Sequence, residues 1–367
     1  MRRGAALAIA LVVIGCGGAA KRKAPASPAA APAVPQAAAK MLSGVEYAKT
    51  PGGRDRAIAL MREAIAIDPN FWEAHYDLGI LLAQTGDLAG AEPSLERAAK
   101  LAPDVEEIAT ALGQIRRRRR EQKRAADGLQ VFVEQHPDAK EARALYVVAL
   151  RDSGQLDAAI AQARESLRRK AGDATALSDL ALAELAKGDR DSAELLVKEA
   201  LASNKDSAVA HRTAGLVALA KGDDAAAFGS FVKASQLDPK DTTARLNMGT
   251  VLLRAGVYAK AEEQFRAVLK DSKEDAEAEV GLASALRGQA DKDRPAKLHE
   301  AQKILEAVLA RDPHNVDAEF NLAVLFADFM KKPAEAKPLF QRFLSDAGAD
   351  HPARAEADRQ VKALGAK

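Results

Sequence analysis

WEAHYDLGILLAQTGDLAGAEPSLERAAKLAP, residues 72–103, decides the fold. Its apolar residues recur at helical spacing on either side of a turn, Gly86-Asp87, so it reads as two amphipathic helices. The first carries Leu78, Gly79 and Leu82 on one face, and the second carries Ala91, Leu95 and Ala98, with Pro103 closing the unit. Small residues such as Gly79 and Ala91 suit the line where two antiparallel helices approach closely, and larger ones fill the space beside it. Such a hairpin has apolar surface on both sides and cannot bury it alone.

Its neighbours repeat the pattern. Stepping from Ala91 by 34 residues gives Ala57, Ala125, Ala159, Ala193, Ala227 and Ala261 without a break. The turn glycine recurs in phase at Gly86, Gly154, Gly188, Gly222 and Gly256, with Arg120 departing. The small first-helix position runs Gly79, Gly113, Val147, Ala181, Gly215, Gly249 and Ala283. The large second-helix position runs Met61, Leu95, Leu129, Ala163, Val197, Phe231 and Phe265, and prolines close units at Pro69, Pro103, Pro137 and Pro239.

Period and pattern resemble the tetratricopeptide repeat (TPR) family over roughly residues 38 to 350. The resemblance implies an all-α fold, an α-solenoid of about nine helix hairpins wound as a right-handed superhelix. A C-terminal helix over residues 351–367 would cap the array, which occupies residues 41–350.

With 48% hydrophobic and 29% charged residues, the chain suits a soluble protein with an ample core. Aromatics are only 4%, so that core is built from Ala, Leu and Val. Formal net charge is +2, and zero without Arg2 and Arg3, which argues against a nucleic-acid or general anionic-membrane binder.

Residues 1–15 have a basic start and an apolar run from Ala5 to Ile14. That run is too short to span a bilayer and fits a secretory leader. It ends in Val13-Ile14-Gly15-Cys16, which resembles the bacterial lipobox. The resemblance implies cleavage before Cys16 and lipidation of its thiol; an ordinary cleaved leader or an uncleaved anchor are the alternatives. Cys16 is the only cysteine, so no disulfide competes. Gly17 after it favours, by the same resemblance, sorting to the outer membrane. Residues 16–40 are Ala/Pro-rich and read as a semi-extended tether, reaching about 75 Å at ~3.1 Å per residue. Lys21, Arg22 and Lys23 either touch anionic headgroups or keep the tether soluble.

Irregularities mark four places. An extra residue near Pro51-Gly52-Gly53 lengthens the first turn. Arg116, Arg117, Arg118, Arg119 and Arg120 stand where the third hairpin should turn; they offer an anionic partner a docking site or form a solvated helix end that suits the helix dipole. Six residues inserted before Ala301 read as a longer loop, and one more extra residue falls near Pro333.

No catalytic or metal motif is present. The six histidines are scattered, and HExxH, a P-loop, GxSxG and GxGxxG are all missing. The expectation is no enzyme, no cofactor, no metal and no small-molecule substrate. Acids are abundant and read mostly as exposed, at first turns such as Glu73, Glu107 and Glu141. By resemblance, first helices line a groove. Its middle is apolar at Val148, Leu182, Leu185, Leu216, Leu219 and Leu253, which suits an amphipathic partner segment or packing between repeats. The chaperone-tail clamp of the family is incomplete, because Asn247 and Asn321 lack lysine partners. In layout the chain resembles TPR lipoproteins of type IV pili, of outer-membrane barrel assembly and of myxobacterial gliding motility. The function expected is a periplasm-facing outer-membrane scaffold with protein partners in such an envelope machine. A second reading is an adaptor for polysaccharide secretion or wall-modifying enzymes through the arginine cluster.

Overall fold

The computed structural model describes residues 33–290 and 295–365. The expected leader, Cys16 and most of the expected tether therefore lie outside the described residues. Nine hairpins follow one another. The first three are α1 (Pro35–Ala48) with α2 (Arg54–Ile67), α3 (Trp72–Gln84) with α4 (Leu88–Leu101), and α5 (Glu106–Arg118) with α6 (Gln122–Gln135). Next come α7 (Lys140–Asp152) with α8 (Leu156–Arg169), α9 (Ala174–Lys187) with α10 (Arg190–Ser203), and α11 (Ala208–Lys221) with α12 (Asp224–Leu237). The last three are α13 (Thr242–Arg254) with α14 (Tyr258–Asp271), α15 (Ala276–Gln289) with α16 (Pro295–Arg311), and α17 (Val316–Val324) with α18 (Pro333–Asp346); α19 (Arg354–Gly365) closes the chain. The fold is all-α. Two compact units, Met1–Thr213 and Ala214–Lys367, divide it inside α11.

The repeating alanines lie deep in the core. Ala57, Ala91, Ala125, Ala159, Ala193, Ala227 and Ala261 are each at most 1% exposed. Beside them the small and large positions compensate in volume. A methyl group added at Gly79 would lie 2.6 Å from Leu95 Cγ, and one at Gly249 would lie 2.7 Å from Phe265 Cζ. Where the first helix carries the larger Val147, the second carries the smaller Ala163, and both are buried. Constant summed volume is what native packing density requires.

The Gly-Asp turn works through both residues. Gly86, Gly188 and Gly222 take φ of +87°, +96° and +81°, and the next residue caps the following helix. Asp87, Asp189 and Asp223 accept from the backbone N–H of Gly90, Ser192 and Ala226, each cap contributing about 1 kcal/mol. Arg120 and Lys331 take the same left-handed conformation, with φ of +61° and +55°, although a Cβ makes it costly.

Three sequence expectations are corrected in detail. The array starts at Pro35 instead of residue 41, since proline at the first helical position is pre-set for the helix. The six-residue insertion is partly helical: α16 begins six residues before Ala301, whereas α4, α10, α12 and α14 begin three before their repeat alanines. The extra residue of the ninth hairpin is absorbed within the first helix, as a π-helical turn over Leu325–Phe329, rather than in the turn.

Candidate partner-binding surfaces

The six residues expected to line a groove, Val148, Leu182, Leu185, Leu216, Leu219 and Leu253, are all half-buried. Val148, Leu182 and Leu185 belong to the first unit and the other three to the second. Leu216 and Leu219 pack against the cluster of Phe231, Met248 and Val251. Leu253 packs on the C-terminal core of the second unit. Leu216, Leu219 and Leu253 thus contribute to packing while keeping part of their surface open.

In the first unit a charge ladder runs along the first helices of successive hairpins. Arg117 Nη2 donates to Asp152 Oδ2 at 2.6 Å, and Arg151 Nη2 donates to Asp152 Oδ1 at 3.1 Å. On α9, Asp179 is only 8% exposed. Burial pushes its carboxyl up to about 7, against the opposing charges of Arg151 and Arg212. Sequence reasoning assigned the acids mostly to exposed faces; Asp77, Glu92, Asp179 and Glu319 are instead buried. Burial here depends on the neighbouring hairpin, which no local pattern around a single acid reports.

In the arginine cluster Arg116 and Arg117 are half-buried, whereas Arg118, Arg119 and Arg120 are exposed. Glu92 on α4, 4% exposed, is the hub. Arg116 Nε donates to its Oε1 at 2.9 Å, Arg119 pairs with its Oε2, and Arg124 reaches it at 2.9 Å. Arg116 also binds Glu96 at 2.7 Å. Arg118 Nη1 donates to the Ala83 carbonyl at 3.2 Å. Burial opposes ionisation of Glu92, but the Arg116 hydrogen bond and the charges of Arg124, Arg116 and Arg119 outweigh it and hold the carboxyl below its usual range. Arg116, Arg117, Arg118 and Arg119 are committed to bonds within the chain at the exposed end of α5, which leaves them less available to an anionic partner. Arg120 forms the turn.

Histidine positions resolve into a structural device that the sequence left unread. His75 Nε2 donates to the Pro69 carbonyl at 3.0 Å, and His211 Nε2 to the Lys205 carbonyl at 2.9 Å. Arg143, at the same place in its hairpin, donates to the Pro137 carbonyl at 2.8 Å. In each case the fourth residue of a first helix fastens the loop six residues before it. The signal was the shared repeat phase of His75 and His211.

Four segments match family models of the tetratricopeptide repeat, over residues 53–115, 178–242, 246–294 and 296–357, together more than half of the chain. The chain belongs to the tetratricopeptide repeat family. No curated protein matches it. Among solved structures it is similar to a TPR protein from Parabacteroides merdae, at 18% identity and TM-score 0.45, covering 80% of this chain and 98% of that one. PilW, a widely conserved type IV pilus biogenesis factor, is similar at 19% identity and TM-score 0.46, covering 60% and 100%. PilF of Pseudomonas aeruginosa is similar at 17% identity and TM-score 0.49, covering 62% and 96%.

As a TPR array the chain is a scaffold for protein–protein interaction. The matching family models indicate no catalytic family. Among the described residues, no group of three or more His, Cys, Asp or Glu is placed to hold a metal ion, and no helix is long and apolar enough to cross a membrane.

Proposed function

We propose that this TPR scaffold is tethered by lipid on Cys16 to the bacterial outer membrane, faces the periplasm, and holds together components of an envelope machine of the pilus, gliding-motility or barrel-assembly kind. The observation that carries the reading is the sole cysteine, placed directly after a short apolar run that follows Arg2 and Arg3, ahead of an Ala/Pro-rich segment and a long repeat array. A lipid at the start of that segment and an interaction array beyond it make a device for holding partners near a membrane. The half-buried leucines of the first helices supply the apolar contact. The arginines, already bonded within the chain, are not part of that contact.

Two measurements test this. Mass spectrometry of the mature N-terminus checks for a diacylglyceryl Cys16, and Cys16→Ser should release the protein from the membrane fraction. Residues 33–367 then serve as bait on solubilised envelope, with Leu182→Glu and Leu216→Glu variants probing each unit. Recovery of envelope-machine components by the parent alone supports the scaffold reading. An unmodified Cys16, or equal recovery by parent and both variants, sinks the tether or the leucine surface respectively.

A further inference from the structure

Where the first two hairpins meet, cations gather without an acid among them. A cleft of about 300 Å³ is lined there by Arg62 of α2, His75 of α3, Ser94 and Arg97 of α4, over the apolar side chains of Ile65 and Leu78. In three hairpins of the second unit the fourth residue of the first helix meets an opposite charge on the second helix. Arg245 faces Asp271 at 3.4 Å, Glu279 pairs with Arg311, and Glu319 pairs with Arg342. At this junction His75 shares a cleft with two guanidinium groups instead.

Of the nearby acids Glu63, Glu92 and Glu96 are paired with other cations, while Asp68 is hydrogen-bonded to backbone and keeps its charge. Glu63 is held by Lys40 at 2.6 Å, Glu92 and Glu96 by Arg116, and Asp68 accepts from the Asn70 and Val34 backbone N–H groups. Among the described residues, neither Arg62 nor Arg97 has an ion pair. Arg97 is fixed in place, since its Nη2 donates to Asn70 Oδ1 at 2.7 Å. The ring of His75 is fixed as well. A carbonyl only accepts, so Nε2 carries the hydrogen toward Pro69. Burial, with Arg97 adding to it, pushes His75 below its ordinary range despite that bond.

We propose that this cleft binds a phosphate group, borne by a lipid headgroup or by a soluble phosphate ester. Two guanidinium groups and a hydroxyl supply donors from several directions, matching an anion with three or more acceptor oxygens better than a planar carboxylate with two. The apolar floor accepts the organic part of the ester. The site is independent of the lipid tether.

The test uses the full chain carrying Cys16→Ser, so that no lipid contributes, with histidine resonances followed by NMR. Inorganic phosphate replaces chloride at constant ionic strength, and the His75 signal is assigned by its loss in His75→Gln. That signal should move saturably while His299 stays, and Arg62→Ala/Arg97→Ala should weaken the effect at least tenfold. Lys270→Ala/Lys303→Ala, which makes the same change in net charge, should leave it intact. Flotation with phosphatidylglycerol vesicles, against phosphatidylcholine alone, separates the sources. Vesicle binding lost in the arginine variant assigns a lipid headgroup, and a phosphate response without vesicle binding assigns a soluble ester. Absence of both a saturable His75 response to phosphate and vesicle binding, or equal loss in both double variants, overturns the proposal.

Discussion

Phe265 is fully buried against two glycines, Gly249 of its own hairpin and Gly281 of the next, each so close that an added methyl would overlap its ring. Gly249→Ala should therefore destabilise the second unit by about 1–3 kcal/mol, the range for overpacking. Adding Phe265→Leu should recover part of the loss in a urea titration. No recovery would mean that the alanine acts on the backbone and not on the ring. The opposite sign is expected at Arg120 and Lys331, where a Cβ sits at positive φ. Glycine there should stabilise by about 1 kcal/mol, the cost of the left-handed conformation offset by the looser unfolded chain. A loss of stability would show that the side chain's contacts outweigh its strain. Asp179 supplies the pH dependence. Its folded pKa of about 7 lies above the ordinary carboxylate value, so between roughly pH 4 and 7 the folded chain binds a proton that the unfolded chain lacks. Stability should fall as pH rises through that window, by up to about 1.4 kcal/mol per unit from this group. Thermal melts of Asp179→Asn should lack this component, and parallel curves for the two proteins would contradict the assignment.

At the scale of helices and turns, the arginine run replaces a glycine turn with an ion network. Glu92 joins α4 to Arg116 of α5 and Arg124 of α6, so one carboxylate links three helices. Glu92→Ala leaves these cations without their hub. Because the arginines are partly exposed, the cost should fall below that of breaking a fully buried pair, at about 2 kcal/mol. Hydrogen exchange should show it confined to α4, α5 and α6. Charge reversal at Arg116 should do the same, and loss of partner binding without local destabilisation would restore the docking interpretation. The hairpins themselves were legible, because the 34-residue phase of alanine and glycine is imposed by close helix contact and by the turn, and both act locally. The ion network was not legible. Glu92 and Arg116 look like ordinary surface residues until the stacking of successive hairpins brings them together. The π-helical turn was half legible: counting residues exposed the insertion near Pro333, but whether a turn or a helix absorbs it depends on packing around Leu325 and Phe326.

For the molecule as a whole, repeat arrays couple each hairpin chiefly to its neighbours, so stability propagates along the chain and fades with distance. The last hairpin depends on α19 for its cover. Ala357 of α19 is fully buried, His351 meets the Phe343 ring edge-on at 5.0 Å, and Arg354 Nη1 donates to the Ala347 carbonyl at 2.9 Å. Ending the chain at residue 348 would bare Phe343 and the apolar side of α18. Nearest-neighbour coupling then makes a graded prediction. Amide protection should drop by orders of magnitude in α17 and α18, less in α15 and α16, and not measurably in α3 and α4 at the far end. Uniform loss through both units would mean that the chain unfolds as one cooperative body. In that case the residue-scale effects at Phe265 and Asp179 would register everywhere, and the units could not be perturbed separately by the groove variants.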